Sequence, residues 1–506
     1  MSDESVRAAL RSNAKLVVIE APAGCGKTHQ GAGYAEEISA VGGSSRTLVL
    51  AHTHAACSVF SERTKGARTR VEIRTIDSII AHIAAVYHAG LGLPIDTLAW
   101  VRQRDDGYAE LALKVATLLN RYPMIASAIA QRHPVIICDE HQDSSTAQHA
   151  IVMALLGQGA MVRIFADPMQ KIFKDNSPVG SLQSCDWSQL TRQAEAFEQL
   201  DIPHRWASGC SDLGRWTLDA RAALKAGGKI DLRSGLPQSV NIVFAENQAQ
   251  RNLEYQLSSQ DRRQIDSFER NQSSLLILTH HNQTALSFRA FFNRRIPLWE
   301  GYSRSGLEKL IDVIRNKHGD CGALSKAIVT FMDDVGKGFS PSAFGDRFEQ
   351  EAREGCSRKC SGKPGTIQDL ARILVAEPDH HGVSKVLRRI SELKISDKIF
   401  AVVEIDNLRE FWDAVHLSQF DSVDSGFAEI THRRTYSRPK PSEKAISTIH
   451  KAKGLECGGV IVMPCDSKTF PDKPETRSLL YVALSRAKNR LLLVVSRSNP
   501  SPLFTI

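Results

Sequence analysis

Leu16-Val17-Val18-Ile19-Glu20-Ala21-Pro22-Ala23-Gly24-Cys25-Gly26-Lys27-Thr28 is the stretch that decides the fold. An apolar run, a glycine-bearing turn and then Gly-Lys-Thr read as a buried parallel strand, a phosphate-binding loop and the first turn of a helix. Gly24 and Gly26 let backbone N–H groups converge on a phosphate, and the helix adds the positive end of its dipole. Lys27 is placed to reach the β- and γ-phosphates of ATP, and the Thr28 hydroxyl to hold Mg²⁺. The strict pattern has Gly where this chain has Ala21. The nucleotide-binding candidates are Ala21, Pro22, Ala23, Gly24, Cys25, Gly26, Lys27 and Thr28.

Working outward, apolar runs at 47–50, 135–138 and 162–165 are separated by helix-compatible segments. That is the rhythm of a covered parallel sheet. Asp139 and Glu140 directly follow the run 135–138. Carboxylates at a strand's C-terminal edge are where Mg²⁺ and an attacking water are held, Asp139 binding the ion through water and Glu140 activating the nucleophile. A second α/β region begins near residue 200, with strand-like runs at 241–244, 275–278, 445–448, 460–463 and 491–495. The expected fold class is α/β, two parallel-sheet lobes each carrying a mostly helical insertion. The first lobe takes 1–80 and 132–199 around an insertion at 81–131; the second takes 200–302 and 441–506 around an insertion at 303–440.

Composition limits the alternatives. The 506 residues are 42% hydrophobic and 24% charged, the profile of a multi-domain globular chain with a real core. A net charge of +8 permits a polyanionic partner without demanding one. The ten cysteines are scattered, several inside apolar runs (Cys138, Cys465), as buried thiols are in a reducing compartment. The polar N-terminus has no apolar signal region, and no run approaches the ~18 apolar residues that span a bilayer. The expectation is a cytoplasmic chain with no membrane partner.

Asp139-Glu140-His141-Gln142-Asp143 followed by Gln148 resembles the Asp-Glu-x-Gln-Asp-(x4)-Gln signature of UvrD/PcrA/Rep-like superfamily 1 helicases. Other motifs similar to that family's appear in order: Ala51-His52-Thr53-His54, Thr75-Ile76-Asp77-Ser78, Ala166-Asp167-Pro168-Met169-Gln170, His204-Arg205-Trp206, Thr448-Ile449-His450-Lys451-Ala452-Lys453-Gly454-Leu455-Glu456 and Tyr481-Val482-Ala483-Leu484-Ser485-Arg486-Ala487-Lys488. The resemblance implies two RecA-like lobes with ATP and Mg²⁺ between them. Lys27, Asp139, Glu140, Gln170, Arg205 and Arg486 are then the catalytic set, Arg205 and Arg486 as arginine fingers and Gln170 as a γ-phosphate sensor. Arg486 is expected on a helix-like segment, 476–488. The resemblance adds His204 and Glu456 to the nucleotide site, at the base and ribose. It implies DNA contact at His52, Thr53, Thr75, His450 and Lys451, and 3′-to-5′ movement.

The chain departs from that family at several places. Residues 1–20 hold no Gln to read adenine; His204 stands for a stacking Tyr, His52 for a Phe and Asp77 for a His; Phe173-Lys174-Asp175-Asn176 replaces Phe-Arg-Gly-Ala. An atypical engagement of DNA is expected from these changes. The compact size is similar to the helicase subunit of the Gabija anti-phage system, which implies an OLD-family ATPase-nuclease partner. Two alternatives stay open: a nucleic-acid-sensing ATPase switch with little unwinding, and an unpartnered UvrD-like repair helicase. Three weaker constellations are Cys356 and Cys360 with His380 and His381 as a metal site, the basic run 432–440 as a phosphate track, and 401–406 as a nuclease-like strand.

Overall fold

The computed structural model describes residues 2–41, 46–67, 70–102, 104, 106–173, 186–248, 255–299, 305–436 and 442–506. Lys174, Asp175, Asn176 and the side chains of the basic run 432–440 lie outside the described residues. The chain divides into two compact units, one of 1–291 with 446–506 and one of 292–445.

The first unit holds two sheets. The first is built from β1 (Leu16–Glu20), β2 (Thr47–Ala51), β3 (Val71–Thr75), β4 (Val135–Cys138), β5 (Met161–Ala166) and β6 (Ala196–Gln199), in the order β3-β2-β4-β5-β1-β6. All its pairings are parallel, with Leu16 opposite Val162 and Val49 opposite Ile137. The interior strands β1, β2 and β4 are buried along their whole length, as their continuous apolar runs require. The edge strands β3 (VEIRT) and β6 (AFEQ) carry charged residues and are only partly buried, so they give no apolar run to read in the sequence. Between β3 and β4 the chain forms helices Ile76–Val86, Thr97–Arg102, Gly107–Arg121 and Pro123–Arg132, whose apolar faces join one buried cluster with β1, β2, β4 and β5.

A two-residue strand, β7 (Ile230–Asp231), precedes the second sheet. That sheet begins with β8 (Val240–Phe244) and β9 (Leu275–Thr279). The chain then leaves for the second unit, where β10 (Gly336–Lys337) pairs antiparallel with β11 (Glu404–Ile405). It returns as β12 (Lys444–Thr448), β13 (Cys457–Cys465) and β14 (Ala487–Val495), giving the order β12-β9-β13-β14-β8. The pairings of β13 with β9 and β14, and of β14 with β8, are parallel. A last strand, β15 (Phe504–Thr505), pairs with β7. The two parallel sheets with their covering helices are RecA-like lobes.

The second unit is mainly helical and has its own core. Leu310, Ile328, Phe344, Phe348, Leu370 and Leu387 are among its fully buried side chains, and Phe344 packs on Phe339 and Phe400. Among the described residues no helix is long and apolar enough to cross a membrane.

Candidate functional site

The loop from Ala21 to Gly26 joins β1 to the helix Lys27–Val41. Gly24 (φ +77°) and Gly26 (φ +83°) occupy left-handed backbone that L side chains rarely adopt. Space adds to this at Gly24, where a Cβ would lie 2.6 Å from the Trp206 ring, while one on Gly26 would press the His204 ring at 3.1 Å. The loop is gripped from outside its own sheet. Arg205 N donates to Gly24 O at 3.0 Å, and Ala23 N donates to the Tyr481 hydroxyl at 2.8 Å. Trp206 Nε1 in turn donates to Ala487 O at the start of β14 (2.8 Å), so the turn His204–Trp206 ties the phosphate loop to the second sheet.

Lys27 lies against the end of β4. Its Nζ is 3.4 Å from Asp139 Oδ1 and is paired with Glu140 Oε1. Burial alone would lower the Lys27 pKa, but the two carboxylates outweigh it and hold the ammonium charged. Burial pushes Asp139 up; for Glu140 the same penalty is outweighed by Lys27 and Lys453, which hold it down. Asp139 Oδ1 is buried and accepts no hydrogen bond. Glu140 has φ +53°, strained for a non-glycine residue, which turns the chain sharply off the strand. Gln142 donates to Glu140 Oε2 through Nε2 and accepts from Asp167 N at 3.0 Å, so the turn is stitched to the end of β5.

Asp167 is a hub. It accepts from Gln170 Nε2 (3.0 Å) and from Arg221 (2.7 Å), and Arg221 also reaches Glu20 at 2.6 Å, which Lys225 joins. Glu20, Asp167 and Arg221 are all nearly inaccessible to solvent. Arg221 and Lys225 belong to the helix Ser211–Lys225, so ions at the ends of β1 and β5 hold that helix in place. A second tie is Lys453, which bonds Asp143 at 2.6 Å and Gln170 O at 2.7 Å.

Arg205 and Glu456 are brought together: Arg205 Nη2 donates to Glu456 Oε1 at 2.5 Å while Nη1 donates to Ser485 O at 2.6 Å. Arg486 differs from the sequence expectation. The helix Pro474–Leu484 ends before it and β14 begins after it, so Arg486 stands in the turn between them. It is 2% exposed, with Nε on Val482 O (2.9 Å), Nη1 on Leu455 O (3.3 Å) and Nη2 on Ser485 Oγ (2.7 Å). Burial, with Arg205 nearby, lowers its pKa to about 10, which leaves it charged at neutral pH. His204 is joined through Nε2 to Asp3 Oδ2 at 2.8 Å.

The candidates for DNA contact stand at strand ends, and most of their described polar groups are engaged locally. Thr53 and Thr75 cap the helices His54–Arg63 and Ile76–Val86, accepting from Ala56 N and Ser78 N. His52 Nε2 is 3.1 Å from Ser144 Oγ. His450 lies within a ring group, 5.8 Å from His280 and 6.0 Å from Phe173, and Lys451 follows it half-buried. Sequence reasoning did not single out Glu20, Arg221, Tyr481 or Trp206 as site residues. Trp206 and Tyr481 stood inside quoted motifs without a role, and the signals for the other two were a carboxylate closing an apolar strand and an arginine inside the Ala/Leu-rich stretch 218–224.

In the second unit the cysteine and histidine pairs do not combine. Cys356 Sγ approaches Glu351 O and Gln368 O, while Cys360 Sγ sits by Arg347 and Gln368. Among the described residues the one group with metal-ligand proximity is Asp379, His380 and His381, without either cysteine. Of the run 401–406 only Glu404–Ile405 is strand, and the residues before it form a short 3₁₀ turn.

Comparison with known proteins agrees with this geometry. An AAA domain matches residues 4–175, and a UvrD-like helicase C-terminal domain matches residues 445–494. No curated protein matches the chain. The first match spans the phosphate loop and the Asp139–Glu140 turn, the second runs from β12 into β14, and together they support a likeness to the UvrD/Rep-like helicase superfamily.

Proposed function

We propose that the chain is a DNA-dependent ATPase motor that hydrolyses ATP at the Lys27–Asp139–Glu140 site and converts the change in phosphate charge into movement of the two sheets. The observation that carries this reading is that Arg205 and Tyr481, both bound to the elements around β14, touch the backbone of the phosphate loop. A nucleotide entering that loop therefore meets groups from both lobes.

The residues fit the expected Mg²⁺. Asp139 Oδ1 is a buried carboxylate oxygen with no hydrogen bond, held only by the Lys27 ammonium at 3.4 Å, and Thr28 lies in the first turn of the adjoining helix, a hard-oxygen set suited to that ion. Bound there, the ion would neutralise phosphate charge. Lys27 would leave its carboxylates for the β- and γ-phosphates. Glu140, released from Lys27 and still beside Lys453, would orient a water and accept its proton. Gln170, held by Asp167, stands where the γ-phosphate is sensed, and Arg205 and Arg486 would stabilise charge developing on it. His204 would pack on the base, with Glu456 at the ribose.

The motif resemblance supports 3′-to-5′ movement, and compact relatives of this kind support an anti-phage role with an OLD-family nuclease partner in the cytoplasm. The inward bonding of His52, Thr53 and Thr75 favours a second reading of the same site, an ATPase switch that senses nucleic acid with little unwinding. The test is ATP turnover with and without single-stranded DNA over a salt series. Turnover should rise severalfold with DNA, and the rise should shrink as salt displaces phosphate contacts. A rate indifferent to DNA at every salt concentration overturns the proposal. Strand-displacement assays then separate motor from switch.

A further inference from the structure

Four side chains form a continuous hydrogen-bonded line through the first lobe. His52 Nε2 lies 3.1 Å from Ser144 Oγ, Ser144 Oγ 3.1 Å from His141 Nδ1, and His141 Nε2 3.0 Å from His149 Nδ1. The line begins at the end of β2 and crosses the turn that follows Glu140. It ends on the helix Thr146–Gly157, where His149 borders a cavity of about 710 Å³ shared with Asn120, Met153 and Gln189. A parallel tie runs beside it: Gln148 Nε2 donates to Asp77 Oδ1 at 2.8 Å while its Oε1 accepts from Ser145 N at 2.9 Å. His52 and Asp77 are two of the positions where this chain departs from the family pattern, and both side chains are spent on the 141–148 segment.

The chemistry of the line makes it directional. Burial lowers the pKa of the two end imidazoles, His52 to about 4, so both are neutral at physiological pH, and His141 links them with Nδ1 toward Ser144 and Nε2 toward His149. A neutral imidazole has one donor and one acceptor nitrogen, and a serine hydroxyl one proton. The line therefore has two polarities. In one, His149 donates to His141, His141 to Ser144 and Ser144 to His52, leaving His52 Nδ1–H as an outward donor. In the other every bond reverses and His52 Nδ1 is an acceptor. Exchange takes one proton from solvent at His52 Nδ1 and returns one from His149 Nε2, with no change in charge. A backbone phosphate only accepts, so a phosphate on His52 selects the first polarity.

We propose that His52, Ser144, His141 and His149 are a relay by which occupancy of the β2 edge by a nucleic-acid phosphate resets the His141–Asp143 turn and so the placement of Glu140. His141 is bonded to Glu140 in the chain, and Gln142 in the same turn holds the Glu140 carboxylate, so a change at His141 bears on the base through two links. Ser144 and His141 are positioning residues here. The proposal rests on the DNA-dependent ATPase reading above.

The decisive variant is Ser144→Ala, which removes the central hydroxyl and leaves Lys27, Asp139 and Glu140 in place. ATP turnover is measured without DNA and with saturating oligodeoxythymidine, together with oligodeoxythymidine affinity. Basal turnover and affinity should stay within about twofold of wild type, and the stimulation ratio should fall at least fivefold. Ser144→Thr, which keeps the hydroxyl, should restore most of the ratio, and His149→Leu, which cuts the far end, should lower it without changing affinity. A wild-type ratio in both Ser144→Ala and His149→Leu overturns the relay. So does a parallel loss of basal and stimulated rates in Ser144→Ala, which marks a structural defect. A wild-type protein that oligodeoxythymidine does not stimulate at all overturns the underlying functional reading and the relay with it.

Discussion

Replacing Lys27 with Ala tests more than catalysis, because the ammonium has partners before any nucleotide arrives. Sequence alone gives Lys27 a partner only in a phosphate; the structure places it between Asp139 and Glu140, with side chains 11%, 4% and 29% exposed. Lys27→Ala therefore leaves two carboxylates together in a poorly solvated site. Breaking a buried ion pair from one side costs about 3–5 kcal/mol. The partial exposure of Glu140 reduces this, and protonation sets a ceiling: neutralising an ordinary aspartate at pH 7 costs about 3 units at ~1.4 kcal/mol each, or roughly 4 kcal/mol. The expected local destabilisation is about 2–4 kcal/mol. It should be read as amide hydrogen exchange in the strand Val135–Cys138, with chelator present and nucleotide absent, since a chain of several units does not unfold in one step. Adding Glu140→Gln to Lys27→Ala should recover about 1 kcal/mol or more, because the like-charge contact is gone. ATP turnover should fall below about a tenth of wild type in either background. Exchange in Lys27→Ala within about 0.5 kcal/mol of wild type would refute the pairing on which the reasoning stands.

Arg486→Ala should lower kcat at least about 100-fold, or ~2.7 kcal/mol, while ATP affinity falls much less; Arg486→Lys should restore only part, since an ammonium lacks the planar fork that serves Val482 O, Leu455 O and Ser485 Oγ. A kcat near wild type with saturating DNA would remove Arg486 from the site. Glu20→Gln should flatten the acid limb of stability. Burial alone would raise the Glu20 pKa, but Arg221 and Lys225 hold it below its ordinary value, so its contribution is present above pH 4.5 and lost as pH falls through the folded value. Hydrogen exchange at β1 compared between pH 4.5 and pH 3 should lose protection in wild type and much less in Glu20→Gln; equal losses would discard the Glu20–Arg221 tie as the cause.

The parts of the fold legible in the sequence were those with both faces covered. Strands β1, β2 and β4 show as apolar runs because both their faces are covered, and β5 does so despite Arg163, whose buried guanidinium is satisfied by the carbonyls of Leu10, Ser12 and Ala14. β3 and β6 escaped because a sheet edge tolerates Glu72, Arg74 and Glu198, which break the run. The phosphate loop was legible because its glycines are demanded by backbone geometry, and the Asp139–Glu140 pair because chemistry fixes it at a strand end. Arg221 and Glu20 were not, because a buried ion pair depends on two positions 201 residues apart that local pattern cannot connect. His52 and Asp77 read as lost stacking groups in the sequence, whereas the structure gives their side chains to Ser144 and Gln148.

The charges of the site are already paired before substrate enters. Lys27 has Asp139 and Glu140, Lys453 has Asp143, Arg205 has Glu456, and Arg221 has Asp167 and Glu20. A polyphosphate offered to the loop must compete for Lys27 and for Arg205, and each success frees a carboxylate. Freed from Lys27, Glu140 would become available to a water; freed from Arg205, Glu456 would keep Lys488, at 3.4 Å. Arg221 is different. It is enclosed with its two carboxylate partners, nearly inaccessible to solvent, so it is expected to keep them and to hold the helix Ser211–Lys225 on the ends of β1 and β5 throughout. Movement should therefore occur at the exchangeable pairs and pivot on the permanent one. The turn His204–Trp206 lies between them, bonded to the phosphate loop on one side and to β14 on the other, and under the proposed function it is where a change in phosphate charge would become a change in lobe position.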